Sequence, residues 1–196
     1  MPEPQSDTAS LRSFISIHLP PAVLVAIERL QGKLPFGGSI RWARPGQIHL
    51  TLKFLGDIPT ASAADIEAAM RRACAGLKPF TLTLQGFGCF PSAKRPSVVW
   101  VGTAGDLSTL NALQTAIERE TQPLARHSEY RAFRPHLTIG RVKKLPFREL
   151  PALGAQIEAT QVGVLGEWSV EDVHLMKSEL SPEGARHTAL ASVRLE

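Results

Sequence analysis

The chain has 196 residues, 43% of them hydrophobic and 20% charged, with a formal net charge of +4. That is enough apolar material for one globular core and too even a charge balance for a long disordered chain. No apolar run reaches transmembrane length and the start lacks the basic and apolar regions of a signal peptide, so a cytoplasmic protein without a membrane partner is expected. The polar residues 1–10 read as a loose tail and 11–196 as one domain, or two small lobes sharing a core. Ser13 to Leu19 alternates weakly and predicts a strand. Pro20-Pro21 opens a helix whose apolar stripe is Val23, Leu24, Ile27 and Leu30. Gly37-Gly38 is a turn before a short extended piece at Trp42 and a strand over Gln47 to Phe54, which Gly56 ends. Thr60 caps a second helix, with Ile66, Ala69, Met70, Ala73 and Leu77 on one face and Gly76 as its stop. Phe80 to Gln85 is a half-buried strand and Val98 to Val101 a buried one. Leu107, Leu110, Leu113 and Ile117 mark a third helix ending near Pro123. A strand follows over Pro135 to Arg141, and Trp168 to Leu180 and Thr188 to Leu195 close the chain around a Pro182-Glu183-Gly184 turn.

The helix–strand rhythm predicts an α+β fold of two similar lobes around a central cleft. Cys74 falls in a helical pattern and Cys89 among Gly and Phe. Neither belongs to a C-x-x-C or metal-type spacing, so both read as structural.

The chemistry is carried by a repeated tetrapeptide, His49-Leu50-Thr51-Leu52 and His136-Leu137-Thr138-Ile139. One His-x-Thr is unremarkable in a chain with six histidines. Two, with the same middle residue and an aliphatic residue after, point to two halves of one site. Strand alternation puts His49, Thr51 and Lys53 on one face, with Leu50, Leu52 and Phe54 behind. It likewise groups His136, Thr138 and Gly140, with Leu137 and Ile139 behind, and Gly140 leaves room beside the motif. Two imidazoles suit acid–base work, because one can be neutral while the other is charged near neutral pH. The hydroxyls and a nearby cation, Arg141 or Lys53, suit phosphate oxygens. Between Arg126 and Arg148 stand seven basic residues against Glu129 alone, and this basic run brackets the second motif. Lys143 and Lys144 within it are candidate RNA contacts. His18, His127, His174 and His187 lack a Thr partner and read as structural or surface residues. One of Trp42, Phe90, Tyr130 and Phe133 is expected to touch a base.

His-Leu-Thr-Leu-Lys-Phe-Leu-Gly at 49–56 and Phe-Arg-Pro-His-Leu-Thr-Ile-Gly-Arg at 133–141 resemble the paired signatures of the 2H phosphoesterases. Within them the chain is most similar to the LigT-type RNA 2′,3′-cyclic phosphodiesterases, also called 2′-5′ RNA ligases. The resemblance covers nearly the whole chain, including the first strand, the Pro79 to Pro91 stretch and the closing hairpin with Ser178 and Gly184. His18 departs from it, standing where an acidic residue is common. The resemblance implies a bilobal fold with both motifs facing a cleft. It implies hydrolysis of a ribose 2′,3′-cyclic phosphate to a 2′-phosphate without metal or cofactor, and a reverse-type 2′-5′ ligation. It implies His49 as proton donor, His136 as proton acceptor, and Thr51 and Thr138 as holders of the non-bridging oxygens. The expected partners are RNA ends carrying a cyclic phosphate, tRNA fragments among them, or small cyclic nucleotides, bound by a monomer. The alternative is a module that grips RNA or nucleotide phosphates in the same cleft without turnover; binding alone would be served by Arg and Lys, and the His pair counts against it. A metal hydrolase is a weaker alternative, since the sequence has no H-E-x-x-H helix and no Cys cluster.

Overall fold

The computed structural model describes residues 10–125, 132–181 and 184–196. Most of residues 1–10 and the 182–184 turn, together with Arg126, His127, Tyr130 and Arg131, lie outside the described residues. The described residues form nine strands, β1 (Ser10–Ile17), β2 (Ile40–Trp42), β3 (Leu50–Pro59), β4 (Phe80–Phe90), β5 (Val98–Gly105), β6 (His136–Val142), β7 (Gly166–Val170), β8 (Asp172–Ser181) and β9 (Gly184–Arg194). Among the same residues four helices, α1 (Pro21–Lys33), α2 (Ala63–Cys74), α3 (Leu107–Thr121) and α4 (Leu150–Ala159), join them in an α+β fold. Ser10, expected in the tail, already pairs with Pro59.

The helices begin and end for local reasons. Pro21 occupies the first turn of α1, where its missing N–H costs nothing. Asp106 caps α3 by accepting from Thr109 N–H at 3.0 Å. Gly76, at φ 75°, supplies the left-handed residue just beyond α2 that other residues adopt at a cost.

All strands join one antiparallel sheet in the order β7-β4-β5-β6-β3-β1-β8-β9, with β2 added to β6. The sheet falls into two four-stranded halves, β7-β4-β5-β6 and β3-β1-β8-β9. Between them the described ladder is a single pair, Leu50 with Leu137. Helices α1 and α4 pack on the first half and α2 and α3 on the second. One continuous core lies between helices and sheet, built from Ile15, Ile17, Leu50, Leu52, Val99, Val101, Leu137 and Ile139 among others. Among the described residues no helix packs on the opposite face of the sheet, which carries both motifs. No helix among the described residues is long and apolar enough to cross a membrane.

Several expectations change. Trp168 to Leu180 is two strands: the chain leaves β7 at one edge of the sheet and enters β8 in the other half, around Glu171. Helix α4 was not expected; Pro151 and Gly154 hide it in the sequence. Gly56 does not end β3 but sits at φ 75° in a bulge, with the strand running on to Pro59. The first motif strand begins at Leu50, because Pro45–Gln47 forms a 3₁₀ turn that ends two residues before His49.

Candidate active site

Strands β3 and β6 are neighbours, and their one pair joins the second residues of the two motifs, Leu50 and Leu137. Continued by one residue either way, that antiparallel register would set His49 across from Thr138 and Thr51 across from His136. The two motifs thus lie on adjoining antiparallel strands, with Leu50 of one paired to Leu137 of the other. Neither Thr hydroxyl bonds to another described residue.

Immediately after each Thr the strand bulges. Ser16 pairs with Thr51 and Ile15 with Lys53, so Leu52 is extra; Trp100 pairs with Thr138 and Val99 with Gly140, so Ile139 is extra. Each bulge reverses the alternation beyond it. Three expectations are corrected as a result. Lys53 leaves the motif face and is buried, its Nζ 2.9 Å from Glu118 Oε1 and donating to the Glu118 carbonyl at 3.2 Å. It is not a cation for a bound phosphate. Phe54, expected in the core, is 57% exposed and lies 6.1 Å from Phe14 on the motif side. Gly140 does not make room for a ligand; a Cβ there would meet Ile40 Cγ2 at 2.7 Å and Trp42 Cε3 at 2.8 Å. Arg141 turns onto the face of Thr138 and Trp100, while Val99, the partner of Gly140, points into the core. Arg41 pairs with Arg141 across β2 and β6. Both arginines are exposed, and neither has a carboxylate partner among the described residues. Like charges placed opposite each other repel, and an anion between them relieves this.

Both imidazoles are tied to the backbone carbonyl two residues earlier. His136 Nδ1 donates to Arg134 at 2.6 Å, which leaves Nε2 free, and His49 bonds the Gln47 carbonyl. Phe14 stacks on His49 at 4.5 Å and Phe90 meets His136 edge-on at 4.9 Å. Burial first, then His187 and His18, pushes His49 down from 6.5 to about 3 against the raising effect of the Gln47 carbonyl. Without a ligand His49 is therefore neutral at neutral pH.

Three of the histidines set aside as structural, His18, His174 and His187, share this face. His18 and His174 stack at 3.8 Å, and His18 Nε2 lies 3.2 Å from Met176 Sδ. His187 stands 5.1 Å from His49. Burial lowers His18 and His187 and takes His174 to about 4. Sequence reasoning missed their grouping, because β8 and β9 reach β3 only through β1. A weak signal existed: His18 and His174 sit at alternating polar positions of apolar strands. Of the candidate base contacts, Phe90 lies on the face, whereas Trp42 and Phe133 pack on the core. Lys143 and Lys144 are exposed beyond the end of β6. Among the described residues no group of three or more His, Cys, Asp or Glu is arranged to hold a metal ion.

The family model described as the 2′-5′ RNA ligase superfamily matches residues 19–182. The RNA 2′,3′-cyclic phosphodiesterase of Methanothermobacter thermautotrophicus is 31% identical over 187 residues, covering 94% of this chain and 99% of that protein. The protein of the same description from Aeropyrum pernix is 32% identical over 169 residues, covering 86% and 94%. The crystal structure of TT0787 from Thermus thermophilus superposes with a TM-score of 0.77 at 28% identity, covering 94% of this chain and 98% of that one.

Proposed function

The chain belongs to the 2′-5′ RNA ligase superfamily, and from that membership we propose that it opens 2′,3′-cyclic phosphates at RNA ends or on nucleotides to 2′-phosphomonoesters. The observation that supports this reading is the Leu50–Leu137 pair, which sets the two His-x-Thr motifs on adjoining strands. His136 accepts the proton of the attacking water through Nε2, the nitrogen left free by the Arg134 carbonyl. His49 returns a proton to the departing ribose oxygen. It is neutral in the free site, so the role requires the bound phosphate: an anion within about 4–6 Å favours the charged imidazole and raises its pKa. Thr51 and Thr138 donate to the non-bridging oxygens, and Arg141 balances their charge. Lys143 and Lys144 hold the body of an RNA. The cycle consumes water, breaks one P–O ester bond and needs no metal in this scheme.

An oligoribonucleotide ending in a 2′,3′-cyclic phosphate is incubated with the protein, with and without excess chelator. A 2′-phosphate product in both conditions supports the reading. Tight binding without any product favours a non-catalytic phosphate-binding module. Loss of activity that Zn²⁺ or Mn²⁺ restores overturns the metal-free scheme.

A further inference from the structure

Strand β9 returns along β8 and brings His187 beside His49. The two rings are 5.1 Å apart at 87°, and His187 also meets Phe14 edge-on at 5.0 Å. Gln47 fixes this arrangement from both sides. Its Nε2 donates to the Ala185 carbonyl at 2.9 Å, two residues before His187, while its own backbone carbonyl holds the ring of His49.

The two nitrogens of His187 differ. Nδ1 is buried and has no hydrogen-bond partner, whereas Nε2 is not among the buried unpartnered atoms of the described residues. A buried N–H without an acceptor is costly, so the single proton of the neutral ring resides on Nε2. A second proton would create that unpaired N–H at Nδ1, and burial indeed holds the ring below its ordinary range. The result is a neutral donor whose ring stands beside that of His49.

We propose that His187 is a third histidine of the site, whose Nε2–H donates a hydrogen bond to an oxygen of the anionic phosphodiester held next to His49. The inference rests on the cyclic phosphodiesterase reading. Unlike the motif pair, His187 keeps its proton through the reaction; it binds the substrate and transfers nothing.

The test compares His187→Phe, which keeps a ring against Phe14 and His49 but removes the donor, with His187→Gln, whose amide N–H restores one. Steady-state turnover of a nucleoside 2′,3′-cyclic phosphate and binding of a nucleoside 2′-monophosphate are measured, with circular dichroism as the check on folding. His187→Phe should lose roughly 10–100-fold in kcat/KM, the scale of a hydrogen bond to a charged group. Binding of the monophosphate should weaken alongside, and His187→Gln should recover most of both. Wild-type turnover with an unchanged His187→Phe overturns the proposal alone. Equal losses in the two variants also overturn it, because packing and not the donor is then what matters. A wild type that leaves the cyclic phosphate intact overturns both this proposal and the reading it rests on.

Discussion

His49 and His136 occupy nearly identical tetrapeptides in unlike surroundings. His49 is packed between Phe14 and His187 and held neutral, with its pKa at about 3, whereas among the described rings His136 touches only Phe90, edge-on, and is anchored through Nδ1. His49→Ala and His136→Ala should each lower kcat by about 10²–10⁴, the scale of one general acid or base. The double variant should fall little below the worse single one, since both serve one step. Near-wild-type turnover in either, or a loss that follows unfolding by circular dichroism, breaks the pairing. The bound phosphate raises His49, so its limb should lie at higher pH in the kcat profile than in the kcat/KM profile, which reports the free site. Coincident limbs would show that the substrate does not reprotonate it. Lys53 gives a different kind of prediction. Its side chain is fully buried and its charge is met by Glu118, which is 30% exposed. Glu118→Ala should destabilise the fold, read as a lower urea midpoint. The loss should be smaller than the about 3–5 kcal/mol of a fully buried pair, because water screens the exposed partner. An unchanged midpoint would mean that the Glu118 carbonyl alone satisfies the ammonium.

The strands that carry the motifs were legible in the sequence because alternation is local: Leu50 and Leu137 do face the core, and His49, Thr51, His136 and Thr138 do share the other side. What lies beyond each Thr was not legible. A bulge is decided by the partner strand, here β1 for Leu52 and β5 for Ile139, and nothing within the motif announces it. That one-residue shift sent Lys53 into the core and brought Phe54 and Arg141 onto the motif face. The β7–β8 division failed for a related reason, since Trp168 to Leu180 is continuous in pattern although its two parts pair with strands in different halves. Helix α4 has weak intrinsic signals, and Gly154 is required because a Cβ there would collide with the backbone of Ala93. Gly140 is needed for the same kind of reason, pressed against Ile40 and Trp42 of β2. Gly140→Ala should therefore cost about 1–3 kcal/mol, as overpacked sites do. It should loosen β2 from β6, visible as faster amide exchange at Arg41 and Trp42 with the helices still protected. Wild-type exchange at β2 would show that Trp42 can move aside.

At the scale of the whole molecule, the two four-stranded halves meet where the motifs meet, so the site depends on both halves being folded. The basic run beyond β6 bears on encounter with RNA. Neutralising Lys143 and Lys144 should weaken RNA binding and flatten its salt dependence while sparing turnover of a mononucleotide cyclic phosphate. Unchanged affinity at low salt would make them a solvated face. The histidine-lined face also predicts how stability responds to acid. Burial, the first cause in each case, takes His49 to about 3 and His174 to about 4 from an ordinary 6.5, and lowers His18 and His187. A folded-state pKa below the unfolded one means that the unfolded chain takes up protons first as pH falls. The stability these groups contribute is whole above 6.5 and drains away as pH drops towards 4 and then 3. Each group can add at most about 1.4 kcal/mol per pH unit, and His18, His174 and His187 add less because solvent reaches them. Urea midpoints measured from pH 7 to 5 lie above the range in which the lowered carboxyls of Asp106, Glu120 and Glu179 titrate. The midpoint should fall steadily over that interval in the wild type and less steeply in a His49→Phe, His174→Phe double variant. A flat wild-type profile, or equal slopes in the two proteins, would mean that these imidazoles take up protons in the folded state as readily as in the unfolded chain.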